Sequence, residues 1–185
     1  AGKWEINIAA TGSRQAAGWS VSAPDLDINY GLGSRIQLSV HLPWEHGRDR
    51  SGAWMSGAGP VELAARWRFL DQDRAGVSVA VQPHWARAWS QSAIDHGLAP
   101  AGDEFSLPLQ IAREWERGAV GMELGRNLIQ RQPDEWQLGV YASHDCPHGI
   151  DCLVELNGVR TDGGGVATNL NLGMRRSLAP DLKLL

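Results

Sequence analysis

Four residues in the last quarter of the chain carry the donor atoms of a metal site: His144, Cys146, His148 and Cys152. Imidazole and thiolate are the ligands that zinc takes in tetrahedral sites. Their spacing matches no standard finger. The two cysteines are the only ones in the chain and enclose just Pro147-His148-Gly149-Ile150-Asp151, which points to a Cys146–Cys152 disulfide. Such a bond needs an oxidising compartment such as the periplasm or the cell exterior. A reduced pair and a zinc site are the alternatives, and the expectation is no metal.

Nucleophilic chemistry has little to stand on. Ser143, His144 and Asp145 are sequence neighbours that cannot form a triad among themselves, and no G-x-S-x-G elbow occurs. A hydrolase whose site assembles across distant strands is the alternative to the expectation of no enzyme and no cofactor. Gly31-Leu32-Gly33 and Gly163-Gly164-Gly165 are too short for a phosphate cradle and lack its lysine, so they read as turns. Trp85 and Trp89, with Arg87 between them, have the chemistry to stack on a sugar or an aromatic ligand. The alternative is an anchoring aromatic edge followed by an ordinary loop.

These side chains must be positioned by something, and the dominant signal is alternation. Asp25-Leu26-Asp27-Ile28-Asn29-Tyr30-Gly31-Leu32 alternates polar with apolar throughout, as does Arg35-Ile36-Gln37-Leu38-Ser39-Val40-His41-Leu42. In an extended strand such a sequence has one apolar and one polar face. Helical periodicity is not convincing anywhere, so the chain reads as all-β. About eleven strands are expected, near 3–11, 19–31, 34–44, 60–70, 76–86, 104–114, 118–128, 135–144, 151–160, 166–176 and 181 onward. A change of phase around Pro24 predicts a bulge in the second strand. Short turns alternate with long connections, the longest being 46–59 and 88–102.

Composition narrows the class. The 185 residues suit one domain, 1–185, and 21% charged with 43% hydrophobic residues excludes global disorder. A net charge of −4 argues against a nucleic-acid partner. No stretch approaches the roughly 20 apolar residues of a membrane helix. Ala1-Gly2-Lys3-Trp4 has no charged-then-apolar leader, so any signal peptide is expected to be already absent. Nine Trp against two Phe and two Tyr favour surfaces that are half apolar and half wet.

Alternation alone fits a soluble β-sandwich as well as a membrane barrel. Strands of nine to eleven residues match the roughly 9–11 that cross a bilayer at a tilt. Trp4, Trp44, Trp67, Trp85 and Trp136 fall near strand ends on the apolar face, where an interfacial girdle would place them. The opposite face carries Asp27, Arg35, Glu62, Arg66, Arg68, Glu123, Glu155 and Arg175, with Gly121, Gly125, Gly139 and Gly173. Arginine pairs with carboxylates through a planar fork, so a lumen lined by these residues would be held by such pairs. A solvated sheet face with scattered charges is the alternative.

The run from Pro24 to Leu38, closing on Leu42-Pro43-Trp44, and the run Gly57-Ala58-Gly59-Pro60-Val61-Glu62-Leu63-Ala64-Ala65-Arg66-Trp67-Arg68-Phe69-Leu70 resemble the hallmarks of a Gram-negative outer-membrane family. It is the transporter family of the phenol-degradation meta-pathway type. Phe105-Ser106-Leu107-Pro108-Leu109 and Leu170-Asn171-Leu172-Gly173-Met174-Arg175-Arg176 are weaker echoes of it. The resemblance implies an antiparallel up-and-down transmembrane β-barrel of about 10–12 strands in the bacterial outer membrane. It also implies a passive channel or carrier for small aromatic or hydrophobic molecules. Family members continue past a segment like Asp181-Leu182-Lys183-Leu184-Leu185 into a closing strand, so a twelfth strand is expected beyond Leu185 unless the count is off by one. Outer-membrane lipid and a small-molecule ligand are the expected partners, and the protein is expected to be a monomer. The rival expectations are a closed structural or adhesive barrel acting through its loops, and a soluble carbohydrate-binding β-sandwich.

Overall fold

A computed structural model describes residues 2–15, 18–48, 52–180 and 182–184. The chain is an antiparallel all-β sheet of fourteen strands, with two single-turn helices and one 3-10 turn among the described residues. Its contacts group into two compact units. The first comprises Ala1–Trp67, Pro83–Ser106 and Leu128–Gln132; the second comprises Arg68–Gln82, Leu107–Asn127 and Pro133–Leu185.

The first unit opens with a meander of β1 (Trp4–Gln15), β2 (Gly18–Leu32) and β3 (Ile36–Arg48). β3 then pairs with both β4 (Trp54–Ala58) and β5 (Pro60–Leu70), which are separated only by Gly59. Connection 46–59, expected to be a long polar loop, is therefore mostly strand. Asp49, Arg50 and Ser51 of this connection lie outside the described residues. Gly59 is required where it stands, since a Cβ there would sit 2.9 Å from Pro43 Cγ. β2 carries the bulge at the change of phase: Ser22 faces Glu45 and Asp25 faces Pro43, so β2 has one residue more than β3 between those pairs. The Ala23–Pro24 peptide in it is cis.

Fourteen strands replace the expected eleven for identifiable reasons. β4 forms where a loop is expected, and prolines divide two expected strands. After the helical turn α1 (Gln72–Ala75), segment 76–86 becomes β6 (Ser78–Val81) and β7 (His84–Ala88), broken at Pro83. Segment 104–114 becomes β8 (Asp103–Ser106) and β9 (Leu109–Trp115), broken at Pro108. Proline cannot donate to a ladder but still accepts. Pro83 O takes the Ala65 amide and Pro108 O takes the Gln82 amide, both at 3.1 Å, so pairing continues past each break. β7 pairs with β5 and β8 in the first unit.

In the second unit β6 pairs with β9, and β9 with β10 (Gly118–Ile129). The meander continues through β11 (Glu135–Cys146), β12 (Ile150–Thr161), β13 (Val166–Ala179) and β14 (Leu182–Leu184). Asp181 and Leu185, the ends of the expected eleventh strand, lie outside the described residues. Among those described, β1 is paired along one side by β2 and β14 along one side by β13.

The burial pattern runs opposite to that of a globular core. The buried apolar side chains among the described residues are the alanines at 80, 88, 93 and 99 and the prolines at 43 and 108. Ser22, Asn29, Ser106 and Asn127 are buried as deeply. The large apolar residues are exposed instead, among them Ile8 at 74% and Leu172 at 77%. Along β10 the alternation is explicit: Val120, Met122, Leu124 and Leu128 are exposed, whereas Gly121, Gly125 and Asn127 are buried.

Candidate functional site

The polar face is the place where side chains converge. In the first unit, the register sets Asn7 opposite Asp27 and Glu5 opposite Asn29, and the next strand brings Ser39 and Gln37 alongside. Asp27 Oδ2 accepts from Asn29 Nδ2 at 2.7 Å and from Asn7 Nδ2 at 3.2 Å. Asn29 Oδ1 in turn accepts from Gln37 Nε2 at 2.6 Å and from the Ser39 hydroxyl. His41 bonds Asp25. β5 adds Glu62, Arg66 and Arg68 on one face, with Glu62 opposite His41 and Arg66 opposite Gln37.

The second unit repeats the device. Glu123 accepts from Gln110 at 2.7 Å and from Gln137 at 3.2 Å. Glu155 accepts from Asn171 at 3.2 Å, and Arg175 donates to Asp151 at 2.9 Å. Arg68 reaches Asp71 at 3.0 Å. Asp27, Glu123 and Glu155 are thus held by amide groups rather than by the arginine forks that the residue types suggested. Arg35, expected to line the lumen, stands instead in the exposed turn between β2 and β3.

Glycines on this face make room for larger neighbours. Gly121 faces Tyr141, whose ring lies where a Cβ would go: Cζ would be 2.6 Å from it. Gly125 faces Gln137 in the same way, with Nε2 at 2.7 Å, and Gly139 faces Asn157 with Oδ1 at 2.8 Å. A bulky side chain on one strand is seated on a bare backbone of the next. At these positions the polar face is packed.

The reverse face is apolar and edged by indoles. Trp4, Trp44, Trp67 and Trp136 are exposed on it, and Trp85 is half-buried between Leu63 and Phe105 of the neighbouring strands. Trp19, Trp54 and Trp115, not singled out from the sequence, share that face and are also exposed. Trp67 lies opposite Ile36, and Trp44 lies eight positions further along β3. At about 3.4 Å per residue the two indole levels are about 27 Å apart along the strand.

At the ends of the strands the charges pair. Arg126 donates to Asp162 at 3.0 Å, bonds Asp134, and lies 5.1 Å from the Trp136 ring. The hydrogen bond from Arg126 holds the Asp162 carboxyl below its ordinary value, outweighing the opposing effect of desolvation. At the other end of β11 and β12, Cys146 and Cys152 form a disulfide with Cα atoms 5.9 Å apart. His144 and His148 are exposed beside it, and His148 adopts φ +66° in the 3-10 turn.

The connection between β7 and β8 is folded. Ser90 caps the short helix α2 (Gln91–Asp95) by accepting from the Ala93 amide at 3.2 Å. Ala93 packs with Ala88 and Ala99, backed by Ile94 and Leu98. Leu98 closes over Gly47 and Gly57, lying 3.2 Å and 3.6 Å from where their Cβ atoms would be. Beside this fold, Trp89 meets Trp85 edge-on at 6.4 Å, with the Arg87 guanidinium 5.9 Å from its ring. The Trp85-Arg87-Trp89 trio is visible in the sequence, but Asp103, Gln130 and Arg131, which line a cavity with Arg87 and Trp89, are not. Nothing local marks those three, because they join only through pairing of distant segments.

No protein-family model matches the chain, and no curated protein matches it.

Proposed function

We propose that this chain forms the wall of an outer-membrane β-barrel that admits small solutes passively and performs no catalysis. The observation that carries the reading is the inverted burial: large apolar side chains are exposed while polar and glycine positions are covered. Leaving so much apolar surface in water is costly at about 25 cal/mol per Å². In hydrocarbon the same surface is at home, and the polar face becomes a lumen. The β11 and β12 strands have 12 residues each. At a tilt near 45° each spans about 30 Å, the thickness of a hydrocarbon core. Lipid tolerates no open strand edge, so the reading includes closure into a barrel. Carboxylates, guanidinia and amides on the lumen side would set the local field and the bore.

The family resemblance favours small aromatic or hydrophobic cargo. A lumen of amides and carboxylates offers such molecules hydrogen bonds rather than apolar contact, and so favours cargo with polar groups. The packed polar face also favours a second reading, a closed barrel that acts through its loops. Two measurements decide. Detergent extraction tests the membrane assignment: a monodisperse species in detergent-free buffer overturns it. Planar-bilayer recordings separate channel from closed wall, since discrete conductance steps are expected of the first and none of the second.

A further inference from the structure

We propose that the folded connection between β7 and β8 carries a binding site for a negatively charged saccharide, a phosphorylated or carboxylated sugar. The site is a cavity of about 710 Å³ lined by Arg87, Trp89, Gln91, Asp103, Gln130 and Arg131. That volume lies within the roughly 300–1,000 Å³ of small-molecule sites. It belongs entirely to the first unit, and it does not depend on whether the chain spans a membrane.

Three observations converge on this chemistry. The first is Trp89, which is 66% exposed yet held in place by the Trp85 edge and the Arg87 guanidinium. A fixed indole with an open face suits the C–H face of a sugar ring. The second is the polar set around it. Gln91, Gln130 and Asp103 carry groups able to hydrogen-bond sugar hydroxyls, and Gln91 Nε2 is tethered by donating to Asp95 Oδ1 at 2.8 Å. Gln130 Oε1 accepts from the Asp103 amide at 3.2 Å, and Gln130 N donates to Asp103 O at 2.9 Å, which fixes that wall. Gly102 makes the approach possible, since a Cβ there would lie 3.0 Å from Gln130 O. The third is charge. Two guanidinia stand against one carboxylate, and the Arg87–Asp103 pair is 3.5 Å apart and half-exposed, so it is weak.

Arg131 adds a separate clue. Its backbone is left-handed, φ +68°, where a residue with a Cβ is disfavoured and glycine would be free of strain. Strained backbone of this kind clusters at ligand sites. A planar aromatic acid fits less well, because Trp89 is the one aromatic side chain among the described lining residues and cannot sandwich a ring. A single carboxylate does not hold a metal ion. The anionic sugar has two sources, a free solute or the phosphorylated sugar headgroup of a glycolipid, and the chemistry of recognition is the same.

Isothermal titration calorimetry of the full chain tests this with glucose 6-phosphate, galacturonate, glucose and inorganic phosphate, and with phosphatidylethanolamine vesicles with and without lipid A. Saturable binding of a charged sugar or of lipid A vesicles is expected, with glucose and phosphate each at least about tenfold weaker. Binding confined to free sugars identifies a solute, and preference for lipid A vesicles identifies a headgroup; either supports the site. Arg131→Gly relieves the backbone while removing the charge, so it should fold at least as stably as the native chain and bind about tenfold more weakly. Trp89→Ala should weaken sugar binding by a similar factor. No saturation with any charged probe overturns the proposal, as does inorganic phosphate binding as tightly as glucose 6-phosphate. Unchanged affinity in both Arg131→Gly and Trp89→Ala also overturns it.

Discussion

Val140 lies near the middle of β11, exposed on the apolar face between Met122 and Leu156 of the flanking strands. From Glu135 at the strand's start it is about 17 Å along the strand and, at a 45° tilt, about 12 Å in depth. Val140→Arg therefore places a guanidinium close to the centre of the proposed hydrocarbon layer. There the cost is about 2–4 kcal/mol, falling to about 0–1 near an interface. Val166, the exposed first residue of β13, is level through Arg160 with Trp136 and gives the comparison, since Val166→Arg sits near the strand end. If the same face meets water, both substitutions remove an exposed apolar side chain and each changes stability by no more than about 0.5 kcal/mol. Equilibrium urea unfolding in lipid vesicles measures the difference as a shift of midpoint at constant slope. A large cost at Val140 with a small one at Val166 is expected. Equal, small effects at both positions would refute the membrane reading of the inverted faces.

Gly121→Ala should cost about 1–3 kcal/mol, because the new Cβ meets the Tyr141 ring. In a Tyr141→Ala background the cost should largely vanish, and a double-mutant cycle without coupling would show that the ring is not seated there. Cys146→Ser should destabilise the β11–β12 hairpin by roughly 2 kcal/mol from the lost closure of a short loop, measured by unfolding in the absence of reductant. Asp162 titrates below its ordinary value of 3.8 in the folded chain, so its contribution is fully present above that value. It is lost as pH falls through the lowered one. Asp162→Asn should flatten that part of the acid-unfolding profile, and an unaltered profile would remove Asp162 from the account.

How much of this was legible depended on range. Period-two segments such as 25–32 fixed both the strand and its two faces, because alternation is a property of neighbours in sequence. The bulge was legible for the same reason: Trp19 and Val21 occupy one parity and Leu26 and Ile28 the other. β4 was missed because Trp54-Met55-Ser56-Gly57-Ala58 has no alternation of its own and becomes strand only against β3. The divisions at Pro83 and Pro108 were missed because apolar periodicity continues across them while the donor does not. On the polar face, residue type suggested arginine–carboxylate pairs, but register decides which groups meet. It brought Gln110 and Gln137 to Glu123, and Asn7 and Asn29 to Asp27. The cavity beside Trp89 was the least legible part, since it joins a loop to the ends of two strands far away in sequence.

The seating of amides, carboxylates and aromatic rings across neighbouring strands has a consequence for how the sequence can drift. In a globular protein, the hydrophobic interior demands fitted shapes and the outside is permissive. Here the exposed apolar positions touch few neighbours, so leucine, isoleucine, valine and methionine should exchange there with little penalty. The polar-face positions answer to one another: replacing Asn29 disturbs Asp27, Gln37 and Ser39 together, and enlarging Gly139 disturbs Asn157. Accepted change should therefore concentrate among the greasy residues. Among the polar ones it should come in compensating sets.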